Sequence, residues 1–353
     1  MADTDWAIVV GVQIYPDLGD LSGPKNDANA FAAWLKSPAG GVVPEEHICE
    51  ILSPDYRQQV PTATEATPTV QAVQEALDHL DDIAQQNSTA GHGMRVGRRL
   101  YLYLAGHGFA PKLDEAALLM ANATRLRVGY HFAGKLWADW LYRAGYFDEV
   151  LLFMDCCREN YPSAPLQFVP YRDVSNPDAV LRGKRFYGFA TKWSRNAREH
   201  SMQDGLVHGV FTAALLDGLN GGAAQPDGKV TASSLSSFLY NNTRLYLVDA
   251  DLSDADKATI QEPACDFDAA TGDQFVITTT PVPSYPVTIH LPPTAVGGKV
   301  TVYGDEFAVT GRTDTAPADW QIQLIRGLYL VQCGDGGQKT FEVTGAGPID
   351  VKF

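Results

Sequence analysis

Two chemically reactive side chains each follow directly on a short apolar run of this sequence. His107 stands between two glycines just after residues 99–105, and Cys157 stands in the tetrapeptide Asp-Cys-Cys-Arg just after residues 150–154. An imidazole that titrates near neutral pH can take the proton of a thiol, and the thiolate that results is a strong nucleophile. The pair therefore predicts nucleophilic cysteine catalysis if the fold brings the two segments together.

The same segments offer backbone donors for a developing negative charge. Glycines beside His107 let a substrate backbone approach closely, and we nominate the peptide N–H groups of Gly108 and Cys157 for an oxyanion hole. A single histidine or cysteine after a strand is more often structural than catalytic. Here both occur, 50 residues apart, which favours catalysis. A second Gly-His-Gly segment precedes the apolar run, so His92 is interpreted as an exposed loop residue.

A carboxylate stands between the second apolar run and the cysteines. Burying the charge of Asp155 costs free energy unless the charge serves a purpose. At the floor of a substrate pocket, a buried carboxylate favours a cationic Arg or Lys side chain. Asp155 is therefore a candidate specificity residue.

The apolar pattern around these residues predicts the elements that position them. Helices are predicted at 24–36, 68–85, 132–143, 207–219 and 231–246, and strands at 6–12, 99–105, 150–154, 186–191 and 274–278. Residues 159–184 are polar and aperiodic, which predicts a long loop. Alternating strands and helices predict an α/β fold with a largely parallel central sheet flanked by helices. Reacting groups gather at the carboxyl ends of the strands in such sheets, where His107 and Cys157 are expected.

The pattern changes after a proline-rich segment at 281–286. From there on, short alternating strands separated by Gly and Asp predict a small all-β, sandwich-like domain. The sequence thus predicts two domains, a larger one at 1–280 and an accessory one at 286–353.

Composition narrows the choice of partners. The 353 residues include 27 Lys+Arg and 42 Asp+Glu, a formal net charge of −15. This balance argues against nucleic acid or an anionic membrane as a partner, because both need a basic footprint. No apolar run approaches a membrane span and the N-terminus is acidic, so we expect a cytoplasmic protein. The five scattered cysteines form no C-x-x-C pair, so neither a disulfide framework nor a metal site is expected.

Three motifs resemble those of metacaspases and bacterial caspase-like peptidases. The first is the apolar strand that ends in His-Gly at 101–108, and the second is Asp-x-Cys at 155–157. The third is an early G-x-x-x-Y…L-x-G-x-x-N-D-A segment, matched by Gly11, Tyr15, Leu21, Gly23, Asn26, Asp27 and Ala28. The resemblance covers roughly residues 5–280 and implies a caspase-like α/β sandwich.

The resemblance also implies roles for individual residues. The family places its nucleophile two residues after the aspartate, so Cys157 would attack the substrate and Cys156 would be a buried neighbour. His107 would handle the protons, and Asp27 would share the specificity pocket with Asp155. Two carboxylates suit a guanidinium group. The alternative for Asp27 is stabilisation of a helix N-terminus, which acidic residues commonly supply.

The loop after the cysteines contains the residues that bear on activation and on cofactor binding. Caspase-like zymogens are often cut there, and Arg172, Arg182 and Arg185 are candidate processing sites, either for self-cleavage or for an upstream protease. Calcium-dependent relatives carry clustered aspartates, whereas this loop has only isolated Asp173 and Asp178. We therefore expect no cofactor, and calcium activation is not favoured.

These observations predict a cysteine endopeptidase that cleaves proteins or peptides after Arg or Lys. Two alternatives stay open: a protease of the same fold with acidic (Asp) specificity, and a pseudopeptidase scaffold acting through its β domain. The resemblance also implies a role in stress responses or in proteolytic cascades of bacterial defence against phage.

Overall fold

The computed structural model describes residues 4–56, 61–161, 164–172, 176–202, 204–247, 261–343 and 349–353. The chain divides into two compact units. The first comprises Met1–Ala223 and Lys229–Thr280, and the second comprises Ala224–Gly228 and Pro281–Phe353. Among the described residues, no helix combines the length and apolar character needed to cross a membrane.

The first unit contains the larger share of the elements. Its helices are α1 (Pro24–Lys36), α2 (Val70–Thr89), α3 (Gly134–Ala144), α4 (Pro177–Arg182), α5 (Val210–Asp217) and α6 (Ala232–Asn242). Its strands are β1 (Asp5–Gly11), β2 (Ile48–Leu52), β3 (Gly97–Ala105), β4 (Gly108–Phe109), β5 (Ala117–Leu119), β6 (His131–Phe132), β7 (Phe147–Asp155), β8 (Lys184–Phe189), β9 (Glu199–Ser201), β10 (Val207–Gly209), β11 (Lys229–Thr231), β12 (Ala264–Phe267) and β13 (Val276–Thr279).

A six-stranded sheet forms the centre of this unit, in the order β12-β8-β7-β3-β1-β2. Neighbours are parallel except at β12, which runs antiparallel to β8. The predicted α/β class with a largely parallel sheet is confirmed. The two inner strands β3 and β7 carry the candidate catalytic residues just past their carboxyl ends.

Alternate side chains of the sheet face two different helical layers, as strand geometry requires. Leu102 and Leu104 of β3 belong to the core that α2 and α3 cover. Tyr103 points the other way, where its ring stacks on Phe31 of α1 and its hydroxyl lies 2.5 Å from Thr212 Oγ1 of α5. The sheet is therefore buried on both faces, which explains the continuous apolar runs at residues 100–105 of β3 and 150–154 of β7.

The structure adds elements to those predicted. Strands β2 and β12 and the short strands β4–β6 and β9–β11 were not predicted, because segments of two to five residues are too short to show a periodic pattern. The predicted loop at 159–184 contains helix α4, whose start has a recognisable signal. Asn176 accepts a hydrogen bond from the Ala179 N–H as N-cap, and Pro177 occupies the first helical position. The strand predicted at 274–278 is present as β13, but it pairs with β11 outside the central sheet.

The second unit is built from strands, as predicted. They are β14 (Tyr285–His290), β15 (Val300–Tyr303), β16 (Val309–Thr313), β17 (Asp319–Leu324), β18 (Gly327–Cys333), β19 (Gln338–Val343) and β20 (Ile349–Lys352). They form a three-stranded sheet in the order β17-β14-β20 and a four-stranded sheet in the order β16-β15-β18-β19. Side chains of both sheets share one apolar core, which includes Ile289, Val302, Val331 and the buried Cys333.

Candidate active site

The register of β3 and β7 brings His107 and Cys157 to one place. Ala105 pairs with Asp155 across the two parallel strands, and the Gly106 N–H donates to the Asp155 carbonyl oxygen at 3.2 Å. His107 and Cys157 each follow two residues beyond that pair, and both line the same two cavities of about 450 and 230 Å³. The arrangement predicted from the sequence, a histidine and a cysteine at adjacent strand ends, is present.

Backbone contacts orient the imidazole of His107. Its Nε2 lies 2.9 Å from the Gly19 carbonyl oxygen. A carbonyl only accepts hydrogen bonds, so Nε2 carries the hydrogen and Nδ1 of the neutral ring is left as an acceptor. The His107 N–H donates to the Tyr15 hydroxyl at 3.0 Å, and that hydroxyl donates to the Leu119 carbonyl at 2.8 Å. The ring is thus held in the tautomer that can receive a proton.

The two neighbouring cysteines differ in access. Cys156 is 2% exposed and belongs to the core, whereas Cys157 is half-buried and lines the cavities. Burial raises the pKa of the Cys157 thiol to about 11, although the Ala197 N–H, which donates to Sγ at 3.3 Å, favours the thiolate. At neutral pH the resting thiol is protonated, so nucleophilic attack requires a base.

Gly108, whose N–H is nominated for the oxyanion hole, is buried and lines the larger cavity. A Cβ at this position would lie 2.5 Å from Cys156 Sγ, so only glycine fits there without displacing the neighbouring thiol. The donor role of the Gly108 and Cys157 amides stays a prediction.

Two buried carboxylates, Asp27 and Asp155, line the smaller cavity together with His107 and Cys157, and we call it the acidic cavity. Asp27 is 2% exposed and Asp155 is 7% exposed. Asp155 Oδ2 accepts hydrogen bonds from Thr212 N at 2.9 Å and Thr212 Oγ1 at 2.6 Å. Burial raises the pKa of Asp27 to about 6, and burial together with the charge of Asp27 raises the pKa of Asp155 to about 7. The charge of Asp27 therefore opposes ionisation of Asp155, although Arg198 also lines this cavity.

Asp27 reaches across to the hairpin of β9 and β10. Its Oδ1 lies 2.8 Å from His208 Nδ1, and its Oδ2 accepts the Gly209 N–H at 2.9 Å. Both partners belong to β10, although Asp27 stands in the first turn of α1. The carboxylate thus forms part of the cavity wall, and its place in the first turn of α1 also suits the alternative role of stabilising that helix.

Three residues of this wall were not predicted from the sequence: Glu199, His208 and Gly209. Glu199 lines the acidic cavity, accepts hydrogen bonds from the Ser22 and Gly23 N–H groups, and raises the pKa of Asp27. A Cβ on Gly209 would lie 2.1 Å from Asp155 Oδ2, so this position must be glycine. The only sequence signal was a His-Gly pair just before a buried helix, a pattern that resembles that around His107.

The candidate processing residues fall into two groups. Arg172 is exposed, and Arg182 is exposed at the last residue of α4. Arg185 lies inside β8 and pairs with Asp139 at 3.2 Å and Asp266 at 3.3 Å. Cleavage after Arg185 would require a strand with neighbours on both sides to open, so Arg172 and Arg182 are the accessible candidates.

Two further expectations concern residues outside the centre. His92 is exposed between α2 and β3, as predicted. Of the isolated aspartates considered for calcium, Asp173 lies outside the described residues. Among the residues described, no group of three or more His, Cys, Asp or Glu side chains is arranged to hold a metal ion. Calcium dependence stays a matter for experiment.

Comparison with known proteins identifies the family. The sequence model of the Caspase domain family (Peptidase_C14) matches residues 4–268. A search among curated proteins gave no match. Among solved structures, a Geobacter sulfurreducens protein has 16% identity and a TM-score of 0.41, covering 78% of this chain and 99% of its own. Pro-sf-caspase-1 has 12% identity and a TM-score of 0.40, covering 75% of this chain and 87% of its own. Because the family match spans well over half of the sequence, the chain belongs to the caspase-domain family of cysteine peptidases.

Proposed function

We propose that this chain is a cysteine endopeptidase that cleaves proteins after Arg or Lys. The observation that carries the proposal is the burial of two carboxylates, Asp27 and Asp155, in the cavity that also contains Cys157 and His107. A reactive thiol, a base and an acidic pocket in contact with one cavity are the components that such a reaction needs.

Cys157 and His107 divide the covalent chemistry. His107 Nδ1 takes the thiol proton as Cys157 Sγ attacks the carbonyl carbon of the scissile bond. The same nitrogen then gives that proton to the departing amine, which leaves an acyl-enzyme thioester. Water activated by His107 hydrolyses the thioester and returns the thiol. The N–H groups of Gly108 and Cys157 would stabilise the oxyanion of each tetrahedral intermediate.

The acidic cavity explains the choice of Arg or Lys. Each carboxylate oxygen can accept more than one hydrogen bond, so Asp27 and Asp155 can bind a cation while keeping their protein partners. The positive charge of a guanidinium between them would offset the burial and the neighbouring negative charges that raise both pKa values. Arg198 also lines this cavity, but the two buried charges are both negative, and a substrate Asp would add a third, which disfavours the alternative acidic specificity.

A fluorogenic peptide panel tests this proposal. Four peptides would differ only in the residue before the scissile bond: Arg, Lys, Asp or Ala. Cleavage after Arg and Lys that vanishes in Cys157→Ala would support it. Preferred cleavage after Asp would overturn the assignment of the pocket and leave the catalytic pair standing. Silence on all four, both before and after limited trypsin treatment, would favour the scaffold function.

We also propose that cutting in the segment 159–184 activates the protein, by self-cleavage or by an upstream protease in a stress or anti-phage cascade. The exposure of Arg172 and Arg182 supports this step. Incubating full-length Cys157→Ala with the active enzyme, with calcium or with a chelator, and determining the new termini by mass spectrometry would test it. Cuts after Arg172 or Arg182 are expected, and an active enzyme that stays intact would contradict the proposal.

A further inference from the structure

We propose that the larger cavity beside Cys157 binds an apolar side chain of the substrate residue that follows the scissile bond. This inference rests on the proposed endopeptidase function and adds a second specificity site to it. The cavity measures about 450 Å³, within the range of about 300–1,000 Å³ that is usual for ligand pockets.

The position of the cavity relative to the catalytic pair decides which part of a substrate it can receive. It shares His107, Cys157 and Glu159 with the acidic cavity but contains neither Asp27 nor Asp155. The residue before the scissile bond is assigned to the acidic cavity. His107 protonates the departing amine. The residue that carries this amine must therefore lie on the side of the imidazole that faces away from the acidic cavity.

The two cavities also lie towards different faces of the central sheet. Asp155 of the acidic cavity is hydrogen bonded to Thr212 of α5. Phe109 and Leu119, which line the larger cavity, belong instead to the core covered by α2 and α3. A peptide that crosses the edge of the sheet at Cys157 would therefore place side chains of consecutive residues in separate cavities.

The lining of the larger cavity selects for apolar side chains. Its walls are supplied by five aliphatic or aromatic residues, Leu18, Phe109, Leu119, Val128 and Tyr161. Its two charges, on Arg125 and Glu159, are opposite in sign and both residues are exposed, so neither sign of substrate charge is favoured. Burying a charged side chain against these walls would cost free energy, whereas burying Leu or Phe would gain it.

Internally quenched peptides would test the inference. One series would hold Arg before the scissile bond and place Gly, Leu, Phe, Asp or Lys after it. A parallel series would hold Asp before the bond and vary the following residue in the same way. We expect kcat/KM for Leu or Phe to exceed that for Gly by about 10-fold or more, as one hydrophobic pocket can achieve. Equal values for Gly, Leu and Phe would overturn the inference.

Variants of the cavity wall would locate the effect. Val128→Asp puts a charge on the half-buried wall, and Val128→Ala shortens it. Both should lower the ratio of kcat/KM for Phe to that for Gly. Leu126→Asp is the matched control, because Leu126 is 96% exposed and does not line the cavity, and its ratio should stay at the wild-type value. An unchanged ratio in Val128→Ala and in a folded Val128→Asp would place the preference elsewhere and overturn the inference.

The same data separate this inference from the proposed function. An apolar preference within the Asp series alone would overturn the cation specificity and support the second site. Cleavage after Arg without any preference for the following residue would support the cation specificity and overturn the second site. Absence of cleavage in both series, with or without trypsin treatment, would overturn both.

Discussion

His208 Nδ1 lies 2.8 Å from Asp27 Oδ1, and this contact joins the charge of an imidazole to the carboxylate of the acidic cavity. The second ring nitrogen, Nε2, lies 3.0 Å from Asp204 Oδ2. Both nitrogens face acceptors, so the ring is best satisfied when both carry a hydrogen, and the hydrogen bond to Asp27 raises the pKa of His208. His208 is a positioning residue that aims Asp27 into the cavity and opposes the rise of its pKa.

Replacing His208 by Gln should move the acid limb of the pH profile to higher pH. The hydrogen bond and charge of His208 lower the pKa of Asp27, while burial and Glu199 raise it towards about 6. Without the imidazolium, Asp27 would ionise only at higher pH, and a cationic substrate would bind only above that pH. The measurement is kcat/KM for an Arg peptide against pH.

The second unit offers a matched control for this variant. His290 also stands between two aspartates, with Nδ1 at 2.8 Å from Asp319 and Nε2 at 3.3 Å from Asp350, but it lines no part of the acidic cavity. His290→Gln should leave the profile in place. An acid limb that is identical in His208→Gln and wild type would show that His208 does not act through Asp27.

Gly209→Ala should damage the cation site through a steric contact. The added Cβ would lie 2.1 Å from Asp155 Oδ2 and 3.1 Å from Asp27 Oδ2. One carboxylate would have to move, and loss of a hydrogen bond to a charged group costs about 1.5–3 kcal/mol. We expect kcat/KM for Arg peptides to fall by about 10-fold or more.

Gly129→Ala serves as the control for that substitution, because a Cβ at Gly129 meets no atom within 4 Å. It should retain wild-type kinetics. Full activity of Gly209→Ala on Arg peptides would mean that Asp27 and Asp155 do not need their present positions.

Two substitutions at Thr212 test whether its hydroxyl stabilises the charged form of Asp155. Its hydroxyl, 2.6 Å from Asp155 Oδ2, lowers the pKa of a carboxylate that burial raises. Thr212→Val removes this donor and keeps the shape, so Asp155 should ionise at higher pH and kcat/KM at pH 7 should fall by about 10-fold. Thr212→Ser keeps the hydroxyl and should restore most of the rate. Equal losses in both variants would point to packing rather than to the hydrogen bond.

The meeting of His107 and Cys157 at one place could be predicted from the sequence because the strands that carry them are simple. Residues 100–105 of β3 and 150–154 of β7 are continuous apolar runs, and adjacent parallel strands end at the same edge of a sheet. The proximity of His107 and Cys157 could therefore be predicted without knowing the conformation of any loop. The place of Asp155 beside them could be predicted for the same reason, because it is the last residue of β7.

The rest of the acidic cavity could not be predicted because its contacts are long-range and its elements are short. Strands β9 and β10 have three residues each and no apolar periodicity. The partner of Asp27, His208, is 181 residues away in the chain. Neither periodicity nor spacing carries information about such a contact, so the positions of Glu199, His208 and Gly209 near Asp27 emerged only from the fold.

The acidic cavity should also cost the protein stability at high pH, and Asp155→Asn should reveal that cost. Burial, and next the charge of Asp27, raise the pKa of Asp155 from its ordinary value of 3.8 to about 7. A carboxyl whose pKa is raised by folding contributes stability below its unfolded pKa, and this contribution is lost as the pH rises through the folded value. Asp155→Asn removes the charge and keeps an acceptor for Thr212 N–H, so its Tm should exceed that of the wild type by at least about 2 °C at pH 8. At pH 5 the difference in Tm should be smaller, because much of this stability is lost between pH 5 and pH 7, and the exposed Asp114→Asn should follow the wild type at both pH values. A Tm difference that did not grow between pH 5 and pH 8 would contradict the raised pKa of Asp155.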